Sequence, residues 1–361
     1  MSRIQQLANH LNDTGYDVFL AQTPISMGYL SGFFEDGHER FLTLAIHKSG
    51  QARLICPDLS RIQAKRIGIE DIRPWRDGEN PIEHFLEMAE DWNLRSGVFA
   101  VDDHMPAKML LEMQTSLPAA LFKPGGLVIA ELMAKKDEAE LGFMKRAGQI
   151  ADETYETIKG QLKEGITELE VCDLIENEMK KWGGMPLFCS VCFGPGSAES
   201  HHINDKTRLK PDTLVLVDFG CTYEGYCSDI TRTFVFGTAT DEQKMLYDIV
   251  YRSHEAARVV GKVGVRPMDM DRAARKVIED AGYGPYFNHR TGHGIGMQVH
   301  EEPNITSDND KPLEPGNCFS IEPGIYLEGN CGIRLENLYC STEDGLICFN
   351  QPISPTLFEV K

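Results

Sequence analysis

No apolar run in this chain approaches the ~20 residues that a bilayer-spanning helix needs. The opening MSRIQQLANHLNDTG has the spacing of an amphipathic helix and lacks the apolar block of a secretory signal, so a cytoplasmic protein is expected. Positive charge is also scarce: 36 Lys and Arg face 55 Asp and Glu, a net charge of -19. That imbalance argues against nucleic acid or an anionic membrane as partner. The first third has no GxGxxG, no P-loop and no evident catalytic cluster, which leaves it without a phosphate cradle. Ten cysteines are present, but they lack the dense spacing of a disulfide scaffold. Cys189 and Cys192 form a lone CxxC with no second pair, and all ten are expected to be reduced and mostly buried.

What is present is ordinary in bulk. A 42% hydrophobic, 25% charged chain of 361 residues is long enough for two domains, each with its own core. Residues 1–124 alternate helical and strand signals and predict a small α/β domain with a mixed sheet. Ile4, Leu7, Ala8 and Leu11 make a helical stripe; FLTLAI and ARLIC pair around a turn at Lys48–Gly50; Pro81 and Pro106 open helices. KPGG at Lys123–Gly126 reads as a linker. Residues 125–361 then give helix, helix, strands twice over, with Thr167 and Glu170, and again Thr240 and Gln243, forming capping boxes. Such duplication predicts two pseudosymmetric halves.

The stretch Thr213–Phe234 organises this second region. It reads as a β-hairpin with Glu224 and Gly225 at its turn, which places Asp218 opposite Thr231. Asp229 is then the diagonal neighbour of Asp218 on the same face, roughly 7–8 Å away. Two acids converging on one sheet face lose solvation and repel each other, so they call for a shared proton or a cation. Further ligand types follow in HRTGHGIGMQVHEEP, with His289, His293 and His300, and in SIEPGIYLEGNCGIRLEN, with Glu322 and Glu336. A three-residue turn at Glu328–Asn330 puts Glu322 opposite Glu336. Two hairpins thus present two pairs of carboxylates, and an oxygen-rich set with one imidazole suits Mn²⁺, Co²⁺, Fe²⁺ or Zn²⁺.

The ordered set Asp218, Asp229, His293, Glu322 and Glu336, within GHGIG, SIEPG and GIRLEN, resembles the pita-bread metallopeptidases, the superfamily of prolidase, aminopeptidase P and methionine aminopeptidase. The resemblance spans about residues 200–340, and YLSGF with DGHERF extends it to prolidases in the first third. It implies an α+β pita-bread catalytic domain, pseudosymmetric helices around a curved antiparallel sheet, preceded by the smaller α/β domain. It implies two divalent metal ions per subunit, manganese first, held by those five residues, and a homodimer. Glu322 becomes both ligand and proton shuttle. His201 and His300 match the family's two histidines that hold substrate, with His202 competing for the first role and His289 read as structural. Arg334, two before Glu336, is expected to orient Glu336 or Asp229. Gly292 and Gly294 are expected to let the backbone beside His293 approach the metal.

The activity implied is hydrolysis of Xaa-Pro dipeptides, the alternative being an Xaa-Pro aminopeptidase acting on longer peptides. A creatinase-like hydrolase, a lyase or a non-catalytic binding protein on the same fold are the remoter readings. Some prolidases carry an arginine four residues after the second histidine to hold the substrate carboxylate; Asn304 stands there in this chain. The loop Glu35–Arg40 reads either as a solvated turn or as a lid, with Arg40 as a candidate substrate contact.

Overall fold

The computed structural model describes all residues, Met1–Lys361, and divides them into two compact units, Met1–Met133 and Ala134–Lys361. The first unit is built on a six-stranded mixed sheet. Its strands are Val18–Ala21 (β1), Thr43–His47 (β2), Ala52–Pro57 (β3), Ile72–Trp75 (β4), Val98–Val101 (β5) and Leu121–Pro124 (β6), in the order β4-β3-β2-β1-β5-β6. Its helices are Arg3–Thr14 (α1), Pro24–Ser31 (α2), Arg61–Arg66 (α3), Ile82–Asp91 (α4), Ala107–Ser116 (α5) and Gly126–Met133 (α6). The central strand β1 is buried throughout, and Val18, Leu20, Phe85 and Phe99 belong to one apolar core.

The boundary expected at 124/125 falls one helix early. Lys123 and Pro124 are the end of β6, paired with Ala100 and Val101, and Gly126 opens α6, which packs on α1. An apolar helix needs a surface to cover, and GLVIAELM finds it in the first unit, so KPGG is a strand-to-helix turn and not a linker.

The second unit repeats one order twice. Glu138–Lys159 (α7) and Glu168–Lys181 (α8) precede Met185–Phe193 (β7), Thr213–Tyr223 (β8), Tyr226–Cys227 (β9) and Ile230–Phe236 (β10). Asp241–Val260 (α9) and Pro267–Asp280 (α10) precede Gly292–Gly294 (β11), Glu301–Ile305 (β12), Cys318–Ile321 (β13), Gly324–Leu327 (β14), Cys331–Arg334 (β15), Asn337–Thr342 (β16) and Gly345–Cys348 (β17). Phe358–Val360 (β18) closes the chain. Capping boxes at Asp137, Thr167 and Thr240 start three of these helices, since each side-chain oxygen accepts the N3 amide while the N3 side chain returns the bond.

The antiparallel surface is divided into sheets of order β18-β10-β8-β7, with β9 also paired to β8, and β12-β11-β13-β16-β17, plus the pair β14-β15; β18 is the one parallel partner, on β10. Each five-stranded sheet carries one jaw of the site. Burial of Ile150, Val171, Val217, Phe219 and Phe234 packs the first repeat, and Met270, Ala274, Phe319, Ile321 and Tyr339 pack the second.

Candidate metal centre

The first jaw forms as its turn chemistry dictates. Glu224 and Gly225 both take positive φ, 49° and 82°, the pair of left-handed residues a tight hairpin needs. Tyr223 then pairs with Tyr226 and Asp218 with Thr231, which aims Asp218, on β8, and Asp229, just before β10, to one face. The second jaw keeps the expected register, with Ile321 opposite Asn337 and Gly324 opposite Arg334. Between those pairs the ladder opens. The Glu322 amide donates instead to Thr291 O at 2.8 Å, and the Glu336 amide to Thr231 O at 3.2 Å. Each glutamate is thereby tied, through its own backbone, to the strand or turn that bears another candidate ligand.

The donors of Asp229, His293 and Glu336 lie within 4.8 Å of one another, all three residues buried. Glu322 touches this group: its Oε1 is 3.3 Å from His293 Nε2, and Asp229 Oδ2 is 3.6 Å from the same nitrogen. Asp218 is drawn aside by Arg334, whose Nη2 donates to its Oδ2 at 2.6 Å. Arg334 was expected to orient Glu336 or Asp229. It holds Asp218 directly and reaches Glu336 only through Thr231, whose Oγ1 accepts from Arg334 Nε at 3.1 Å and donates to Glu336 Oε2 at 2.7 Å. The guanidinium runs along β10 to Thr231, and Asp218 is the cross-strand partner of Thr231.

Electrostatics turn this arrangement into a demand for cations. Burial, then the charges of Glu336, Asp218 and Glu322, hold the Asp229 carboxyl well above the usual range. Burial first and the neighbouring carboxylates next do the same to Glu336. Glu322 is pushed up to about 7, chiefly by burial, against the lowering effect of Arg334. His293 is pushed down to about 3 by burial, so its imidazole is neutral. Its Nδ1 lies 3.0 Å from Gly294 O, and a carbonyl only accepts, so the proton is assigned to Nδ1. The Nε2 lone pair therefore faces the oxygens of Asp229 and Glu322. Lone pair against carboxylate is repulsive unless a cation stands between them. Asp218 Oδ1 and Glu336 Oε1 are buried with no hydrogen-bond partner, which unsatisfied acceptors of this kind rarely tolerate. The donor set fits divalent metal ions.

The two expected substrate histidines differ from the ligand. His201 and His300 are exposed, and the His300 ring stands edge-on to His293 with centroids 4.4 Å apart. Burial, then the charges of Arg290 and His201, lower the His300 pKa. His202, the competitor, has both nitrogens engaged, Nε2 with Glu168 at 2.8 Å and Nδ1 with Glu199 at 3.1 Å. His289 bonds Tyr326 Oη at 2.8 Å through Nε2, and burial pushes it to about 4. Arg40 lies in the first unit, ion-paired with Asp77 at 3.2 Å and Glu39 at 3.8 Å.

Sequence reasoning missed three contributors. Thr231 could have been found as the partner of Asp218 in the hairpin register. Tyr326, which links His289 to Arg334, and Arg290, whose Nη1 donates to Asn304 Oδ1 at 2.5 Å, carry no motif signal. The reason given for the glycines beside His293 also changes. A Cβ on Gly292 would lie 1.9 Å from Ser320 O, and one on Gly294 would lie 2.3 Å from Glu302 O. They admit the neighbouring backbone on either side, and no approach of backbone to metal is needed to explain them.

A buried cluster of carboxylates around one neutral imidazole, clasped by two hairpins of an internally repeated α+β unit, defines a metal-dependent hydrolase centre. The chain belongs to metallopeptidase family M24: that family's sequence model matches residues 142–343, and the creatinase/prolidase N-terminal domain matches residues 3–132. It is 34% identical to an Xaa-Pro dipeptidase of Lactobacillus delbrueckii subsp. lactis over 99% of this chain and 98% of that one. Among solved structures it matches a prolidase from Thermococcus sibiricus with a TM-score of 0.94 and 32% identity, covering 99% of this chain and 98% of the other. An X-Pro aminopeptidase from Thermotoga maritima matches with a TM-score of 0.87 and 30% identity, over the whole of both chains. The family implies divalent metal ions, and no helix is long and apolar enough to cross a membrane.

Proposed function

We propose that this chain is a prolidase, hydrolysing Xaa-Pro dipeptides with two divalent ions, manganese foremost and Co²⁺, Zn²⁺ or Fe²⁺ as alternatives. Asp218, Asp229, His293, Glu322 and Glu336 would hold them. The observation that carries this is the His293 tautomer, with its free lone pair aimed at carboxylates that have no other cation. When bound, such ions lower the pKa of water and polarise a carbonyl.

The protein's own groups supply the rest. Glu322, with its Oε1 3.3 Å from His293 Nε2, is the group that takes a proton from the attacking water and releases it to the departing nitrogen. His300 has a lowered pKa and so offers a neutral N–H to the substrate carbonyl oxygen, and His201 is assigned the second substrate contact. A Xaa-Pro bond has no amide N–H to read, so recognition falls on the ring and the termini. Arg290 is half-buried beside His300, has no carboxylate partner, and stands against the Asn304 that replaces the expected arginine. We assign it the substrate's C-terminal carboxylate. A cytoplasmic homodimer is proposed with this activity.

A panel of Xaa-Pro dipeptides and Xaa-Pro-Yaa tripeptides with metal-loaded enzyme tests the assignment. The dipeptide should have the higher kcat/KM, and Arg290→Met should lower it by roughly tenfold or more while sparing the tripeptide. Faster turnover of the tripeptide by the unmodified enzyme would establish the aminopeptidase reading instead.

A further inference from the structure

Two buried ion pairs stand behind the centre, and neither touches a candidate metal ligand. Glu168, the first residue of α8, is fully buried. Its Oε2 accepts from His202 Nε2 at 2.8 Å and from the Asp205 amide at 3.1 Å, while Oε1 accepts from the Phe193 amide at 2.9 Å. Lys136 and Glu301 form the second pair, with Nζ 2.8 Å from Oε2 and side chains only 1% and 5% exposed. Glu301 Oε1 also accepts from the Gln298 amide at 3.0 Å. Each pair ends on the residue that directly follows one of the exposed histidines: His202 after His201, and Glu301 after His300.

That placement matters because neither exposed imidazole makes a hydrogen bond of its own. His201 is oriented by the backbone that carries it, and His300 by its backbone together with the edge-on contact of its ring with His293. The backbone is fixed on both sides in each case. Before His201, Ser197 Oγ accepts from the Gly332 amide at 2.7 Å, and the Ser197 carbonyl fills the space where a Gly332 Cβ would stand. Before His300, Gly296 O accepts from the Cys227 amide at 2.7 Å, tying that turn to the first hairpin. After each histidine the anchor is the ion pair. Buried pairs add little net stability over apolar residues of equal volume, because desolvating the charges offsets their attraction. Their directional bonds do constrain where the chain runs.

We propose that Glu168 and Lys136 are positioning residues for substrate: each sets a histidine it does not touch by gripping that histidine's neighbour in sequence. This rests on the reading of His201 and His300 as substrate contacts. The two anchors act separately, Glu168 through His201 and Lys136 through His300, because no bond joins them.

Double-mutant cycles on the metal-loaded enzyme test this. Glu168→Gln and Lys136→Met should each lower kcat by roughly ten- to a hundredfold, as a misplaced group near the reacting atoms does, with KM and metal content changed far less. In a His201→Ala background, Glu168→Gln should cost no more than about twofold further, whereas in a His300→Ala background it should multiply in full; Lys136→Met should show the reverse. Wild-type kcat in Glu168→Gln, or full multiplication of its effect with His201→Ala, overturns the proposal. If His201→Ala and His300→Ala themselves retain wild-type kcat, the histidine reading fails and takes the proposal with it, a result the single variants alone identify. Should Glu168→Gln or Lys136→Met not fold, Glu168→Asp and Lys136→Gln carry the same cycles.

Discussion

Three carboxyls that resist ionisation make the residue scale the natural place to measure the centre. Asp229, Glu322 and Glu336 all titrate above their unfolded values, mainly through burial and then through one another. An acid whose folded pKa is raised binds more protons folded than unfolded between the two values. Stability is then full below the unfolded pKa and is lost as pH rises through the folded one. For Glu322 that window runs from 4.5 to about 7. Metal-stripped protein should therefore lose a few kcal/mol of stability in total between about pH 5 and pH 8, read as a falling melting temperature, and Mn²⁺ should abolish the slope. Asp229→Asn should flatten the slope without metal and abolish hydrolysis. A pH-independent melting temperature in stripped protein would contradict this account of the acids. The two pairs of acids were legible in the sequence because strand periodicity and turn length dictate which side chains share a face, whereas His293 was singled out only by the resemblance its GHGIG motif carries. Arg290 and Tyr326 were not, because their partners are brought near only by tertiary packing, and the same holds for Lys136 and Glu301, 165 positions apart.

At the scale of elements, the two hairpin registers followed from their turn residues, while the opening of the second ladder at Glu322 and Glu336 did not. Nothing local in SIEPG says that the Glu322 amide will leave its hairpin for Thr291. Placement of α6 escaped for a similar reason: KPGG looks the same whether it ends a domain or turns a strand into a helix. The short strand β11 depends on bare backbone at both flanks of His293. Gly294→Ala would drive a methyl into the Glu302 carbonyl and should cost about 1–3 kcal/mol in urea unfolding, with weakened metal binding alongside. An unchanged unfolding midpoint would mean that the strands around β11 have room the contacts do not indicate.

For the molecule as a whole, the repeated helix, helix, strand order was readable from capping boxes and hydrophobic periodicity, and each repeat delivers one jaw. The first supplies Asp218 and Asp229; the second supplies His293, Glu322 and Glu336. The net charge of -19 has a local counterpart here, four acids converging on one imidazole with Arg334 as the cation bonded among them. One guanidinium does not neutralise four carboxylates, and the two divalent ions proposed above would supply the balance. Calorimetric titration of metal-stripped protein with Mn²⁺ tests that assignment most directly. Two ions per chain are expected, falling to one or none in Glu336→Gln; a saturating stoichiometry of zero in the unmodified protein would contradict it.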